Sequence, residues 1–145
     1  MTAARALVLV LVTVVAAPAR ADDVEVRIPD KLVVAAGEPG TLNVAIAVDH
    51  GHAISRDAAL IIDLAPDAAL HVKKRRLGRA DAVDPEADAP RFAIAVRADT
   101  AGSASIGVRV RFWLCTAHAC KPVDLKRNVA VEIDAGSGSG SGSGS

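Results

Sequence analysis

The chain has 145 residues, 17 basic and 17 acidic, with 51% hydrophobic but only 2% aromatic residues. A formal charge of zero provides no global field for gathering nucleic acid or anionic lipid, so neither is an expected partner. There is no G-x-S-x-G, no glycine-rich phosphate loop and no framed pair of carboxylates, so hydrolase and nucleotide chemistry have no support.

Residues 1–21 read as a secretory signal peptide. Arg5 supplies a positive start, Ala6 to Ala17 form an apolar run, Pro18 breaks it, and Ala19-Arg20-Ala21 is an A-x-A cleavage site. The run is shorter than the roughly 20 residues a membrane span needs. No stable membrane insertion is therefore expected after cleavage, and the expected location is periplasmic or secreted. Residues 135–145 are a Gly/Ser tail with no side chains to bury. Between them, residues 22–134 form a single expected domain. The chain's 17 basic residues less Arg5 and Arg20 leave this domain 15, against 17 acidic, a net charge of about −2. Export also places the two cysteines where a disulfide persists.

Within that domain the hydrophobic period is two. Val24 to Ile28 alternates, as does Leu42 to Val48; Ala59 to Leu64 and Leu70 to Val72 are short apolar runs. Phe92 to Val96, Ile106 to Leu114 and Val129 to Ile133 follow. Turn chemistry separates them at Gly37-Glu38-Pro39-Gly40, Asp49-His50-Gly51, Pro66-Asp67 and Thr100-Ala101-Gly102. This pattern predicts an all-β, immunoglobulin-like antiparallel β-sandwich of about seven to nine strands. One segment breaks the alternation. Lys73 to Arg76 with Arg79 is followed at once by Asp81, Asp84, Glu86 and Asp88, and reads as a solvated strand end and loop.

The stretch FWLCTAHACKPV, residues 112–123, holds both cysteines and the single tryptophan. Val108, Val110, Phe112 and Leu114 share one strand face and must point into the core; Arg109, Arg111, Trp113 and Cys115 share the other. Beyond the cysteines, Val123, Leu125, Val129, Val131 and Ile133 continue an inward parity that only Arg127 interrupts, while Cys120, Pro122, Asp124 and Lys126 face outward. A hairpin with Thr116 to Ala119 as its loop sets Cys115 opposite Cys120, Trp113 opposite Pro122, Arg111 opposite Asp124 and Arg109 opposite Lys126. Opposed residues lie about 4.5–5.5 Å apart between Cα atoms, within disulfide range.

Three roles for this pair remain open. A structural bond closing so small a ring contributes only about 2 kcal/mol, against almost 5 for a 100-residue loop. A redox pair suits an outward, solvent-reachable bond, since exposed disulfides are the more easily reduced. A metal site would use Cys115, His118 and Cys120 as C-x2-H-x-C, one ligand short of a structural zinc set.

The segment F-x-L-C-T, a short loop, A-C-K-P and a strand running to V-x-V-x-I resembles the N-terminal domain of the thiol:disulfide interchange protein DsbD. Upstream, KLVVAAGEPGTLNVAIAV is similar to that family's early strand, glycine turn and strand. DHGHAIS is similar to its G-x-H-I segment, with His52 as the histidine. The resemblance spans about Val24 to Ile133. It implies an immunoglobulin-like periplasmic domain whose Cys115 and Cys120 are the catalytic pair of a protein-disulfide reductase component. Electrons would pass between this pair and thioredoxin-like or other periplasmic thiol–disulfide proteins, with no cofactor. Cys120 would form the mixed disulfide, with Trp113, His118 and Pro122 as docking residues. The alternative is a non-catalytic immunoglobulin-like binding module with a structural hairpin disulfide.

Overall fold

The computed structural model describes residues 23–136; the expected signal peptide, and the Gly/Ser tail from residue 137, lie outside the described residues. Ten strands follow one another: β1 (Val24–Arg27), β2 (Lys31–Ala35), β3 (Gly40–Val48), β4 (Ala53–Ile54), β5 (Ile61–Pro66), β6 (Leu70–Val72), β7 (Arg76–Gly78), β8 (Arg91–Ala98), β9 (Gly102–Cys115) and β10 (Cys120–Asp134). One 3-10 turn, Arg79–Asp81, follows β7. Among the described residues no helix is long and apolar enough to cross a membrane.

The strands form two sheets, one ordered β1-β3-β8-β6 and the other β2-β10-β9-β5-β7, with β4 beside the far end of β9. The fold is an immunoglobulin-like β-sandwich. Each sheet sends alternate side chains inward because a strand's side-chain period is two. Leu42, Val44 and Ile46 of β3 and Phe92, Ile94 and Val96 of β8 meet Val108, Val110, Phe112 and Leu114 of β9 in one continuous core. No polar or charged residue is buried among the described residues, so the interior is held by apolar burial and packing alone.

Several features depart from the expected layout. The pairing is antiparallel except between β2 and β10, which run parallel from Ala130↔Lys31 to Asp134↔Ala35. Two short strands were not anticipated. β7 lies within the expected basic loop and pairs with β5; β4 has only two residues, which no periodicity marks. β10 is continuous from Cys120, and β9 begins at Gly102 rather than Ile106. The basic segment is solvated, and two of its five charges are partnered: Lys74 with Asp81 at 2.8 Å and Arg76 with Asp63 at 2.7 Å.

The core and the outer face are unequal in what they hold. Phe92 is 1% exposed, whereas Trp113 is 43% exposed. Phe92→Ala is expected to lower unfolding free energy by about 3–5 kcal/mol. Trp113→Ala is expected to cost much less, and paired urea denaturation curves measure the difference.

Candidate functional site

The chain is brought to the site by β9, whose inward residues Phe112 and Leu114 are buried and whose outward residues Trp113 and Cys115 are not. β10 pairs with β9 from Cys120↔Cys115 to Ile133↔Gly102, in the register expected from parity. A disulfide joins Cys115 and Cys120, with Cα atoms 4.0 Å apart. The sulfurs are therefore bonded to each other rather than presented as thiolate ligands. Among the described residues no group of three or more His, Cys, Asp or Glu residues is placed to hold a metal ion.

The loop closes locally. The Thr116 backbone N–H donates to the Ala119 carbonyl at 2.8 Å, and the Thr116 hydroxyl oxygen accepts from the His118 and Ala119 amides at 3.3 and 3.2 Å. His118 thus belongs to the turn through its main chain and is otherwise exposed. Pro122 stands across from Trp113 on the outer face. The docking residues taken from the sequence therefore lie together at one tip of the sandwich, beside the disulfide.

The two cysteines are not equivalent. Cys115 has a strand on each side, Cys120 of β10 on one and Ala53 of β4 on the other. The Ser55 N–H donates to the Trp113 carbonyl at 2.8 Å and extends that second contact. Cys120 stands at the start of an edge and, among the described residues, has a neighbouring strand only on the β9 side. Cys115 is accordingly half-buried and Cys120 exposed.

Next to this tip lies a contact that parity does not reveal. Gly51, at φ +81°, turns the chain into β4, with the His52 N–H donating to the Asp49 carbonyl at 3.1 Å. The His52 side chain is 17% exposed, its Nε2 lies 3.3 Å from Asp23 Oδ2, and Lys121 Nζ reaches the same carboxylate oxygen at 3.8 Å. Asp23 at the head of β1 thereby links one sheet to β4 and β10 of the other. The sequence marks His52 only through its place in the G-x-H-I-like segment. Asp23 and Lys121 carry no local signal of a role.

Below the tip, the charged ladder differs from expectation in one respect. Arg111 is opposite Asp124 in register, but Asp124 takes Arg109 instead, in two bonds of 2.9 and 2.6 Å. Arg111 turns the other way to Asp63 of β5 at 2.5 Å. Parity fixes which face a side chain occupies, but a long guanidinium reaches diagonal neighbours as readily as opposed ones. Asp63 is shared between Arg76 and Arg111. The Arg76 hydrogen bond holds its carboxyl below the usual carboxylate range, and Arg111 adds to this against the opposing effect of desolvation. Arg109 lowers Asp124 in the same way.

No protein family and no curated protein matches the chain. Among solved structures it is similar to domains 4 and 5 of the S-layer protein SbsC, at 16% identity and TM-score 0.41, over 77% of this chain and 51% of that one. It thus spans about half of that structure. It is also similar to the CooA pilin subunit from enterotoxigenic Escherichia coli, at 13% identity and TM-score 0.32, over 78% of this chain and 99% of that one. A third is AggA, the major subunit of aggregative adherence fimbriae type I from Escherichia coli, at 8% identity and TM-score 0.37, over 77% and 96%. Scores this low carry no weight for what the chain does.

Two outcomes follow from the geometry. In the unfolded chain the two aspartates take up protons near pH 4, above the pH at which the folded pairs do. Their contribution to stability is therefore complete above about pH 5 and is lost as pH falls through the depressed folded values. Urea midpoints should stay level from pH 8 to about 5, fall below about pH 4, and fall less steeply in Asp63→Asn. Reduction of Cys115–Cys120 should cost about 2 kcal/mol and leave the sandwich folded, as read by far-UV circular dichroism and denaturation.

Proposed function

We propose that this is an exported, non-catalytic immunoglobulin-like module that binds a protein partner through the tip bearing Trp113, Pro122 and the Cys115–Cys120 bond. The observation that carries this reading is Trp113. It is one of three exposed large hydrophobic residues among those described, and it stands over a hairpin whose turn is closed by hydrogen bonds and a covalent link. Exposed aromatics on a rigid support are the usual anchors of protein interfaces, because little side-chain freedom is lost on docking. The disulfide is structural in this reading. It joins residues already opposed in a ladder and holds the tip in shape rather than the two sheets together.

A second reading, thiol–disulfide exchange with thioredoxin-like partners, is favoured by the inequality of the two sulfurs. A partner thiolate would attack Cys120 Sγ at the open edge; the S–S bond would break, its electron pair leaving on Cys115 as a thiolate, and a mixed disulfide would form at Cys120. This is the chemistry that the resemblance to the DsbD N-terminal domain implies.

Redox titration separates the two. The binding module predicts a midpoint below about −300 mV, whereas a midpoint in the range of thioredoxin-like proteins, about −270 to −120 mV, would establish the exchange reading. In parallel, a Cys115→Ser, Cys120→Ser double variant should retain its partners in extracytoplasmic extracts while Trp113→Ala loses them. Retention by Trp113→Ala would overturn the assignment of the tip.

A further inference from the structure

A second surface, which runs from the tip down the edge of β10, is shaped for a different kind of contact. β2 covers the outer edge of β10 only from Ala130 onward, where the Ala130 N–H donates to the Asp30 carbonyl at 2.9 Å. From Cys120 to Val129 the edge has no neighbouring strand among the described residues. The same stretch borders a groove of about 640 Å³ between the sheets, floored by Val24, Val26, Val123 and Leu125 and flanked by Asp49 and Arg127. Val123 and Leu125 have the inward parity of core residues, yet they are only half-buried because none of the described residues closes this side of the sandwich.

The direction of the free backbone groups follows from the ladder. The Thr116 N–H donates across the hairpin to the Ala119 carbonyl, the Ala130 N–H donates away from β9 to Asp30, and hydrogen-bonded pairs recur at every second residue of an antiparallel ladder. Residues 121, 123, 125 and 127 therefore bond to β9. Cys120, Pro122, Asp124, Lys126 and Asn128 turn their main-chain groups outward, in phase with Ala130. Pro122 has no N–H to offer, so the usable donors beyond Cys120 are those of Asp124, Lys126 and Asn128, with the Pro122 carbonyl as a further acceptor.

We infer that this edge takes an extended segment of a partner protein as an added strand, apolar at alternate positions to fill the groove and carrying a carboxylate across from Lys126. Strand addition uses such a row of main-chain groups for affinity and the alternate side chains for selectivity. The charge follows from the ladder. Asp124 is committed to Arg109, which leaves Lys126, directly across from Arg109, without an ion pair among the described residues. A second copy of this chain fits poorly. Paired antiparallel along the whole slot, its own Cys120 and turn would run into Asp30 and Lys31, which already occupy the edge beside Ala130. The slot suits a free segment of seven to nine residues or so, the number that covers Cys120 to Asn128 at the strand rise. This inference does not depend on the tip being a binding face.

The test is amide hydrogen exchange by NMR, with and without a blocked synthetic heptapeptide of alternating Val and Thr bearing one central Glu. Exchange at Asp124, Lys126 and Asn128 is expected to slow at least ten-fold, and less so with the isomer bearing Lys in place of Glu. Lys126→Pro removes one outward N–H and none that β9 uses, so it should abolish the protection; Lys126→Ala should keep it but lose the preference for Glu. Thermal unfolding within a few degrees of the parent shows that the variants fold. Unchanged exchange at millimolar peptide overturns the inference. So does protection that grows with protein concentration alone, which would assign the edge to a second copy. Changes confined to the amides of Trp113 and His118 also overturn it, while supporting the tip.

Discussion

The pairing of β9 with β10 is the constraint from which the rest of the structure follows. Fourteen residue pairs run in one unbroken register. One parity of that register supplies Val108, Val110, Phe112, Leu114, Val129, Val131 and Ile133 to the core. The opposite parity sets the cysteines, the tryptophan and the arginine–aspartate ladder on the outer face. A slip of one residue would move the apolar set into water and the charges into the core, so burial itself holds the cysteines opposite one another. The disulfide confirms an alignment that apolar burial already enforces.

This explains why the site was legible in the sequence. Alternation from Val108 to Leu114, and again from Val129 to Ile133, determines facing, and the four-residue loop determines which residues oppose. The same reasoning set Arg111 opposite Asp124 correctly but did not give the ion pairs, because length and flexibility, not register, decide where a guanidinium ends. It also gave no warning of β4. Two residues carry no period, and Ala53 becomes a strand only because the end of β9 offers it a partner. The parallel pairing of β2 with β10 is non-local in the same sense: Lys31 to Ala35 reads as strand-like, but nothing in those residues names β10. Val123 and Leu125 have core parity and half-burial, since parity describes a strand's own faces and not how far the opposing sheet extends.

The unequal support of the two cysteines has the same origin. β9 is an interior strand at its tip because β4 lies against it, whereas β10 is an edge until β2 begins. One sulfur is therefore flanked by main chain on both sides and the other is open to solvent. Around them Asp23, His52 and Lys121 tie the first strand of one sheet to the tip of the other, so the tip is fastened to the whole sandwich and not only to its own hairpin. A rigid tip and the uncovered edge that runs on from it give this small domain two surfaces of different character, one built from side chains and one from main chain.

The absence of tyrosine and the single tryptophan have a practical side. Nearly all the ultraviolet emission of this chain must come from the indole of Trp113, next to a sulfur–sulfur bond on the same face, and disulfides quench indole light. The protein therefore carries a built-in optical reporter beside its disulfide, able to signal breakage of that bond without any attached dye.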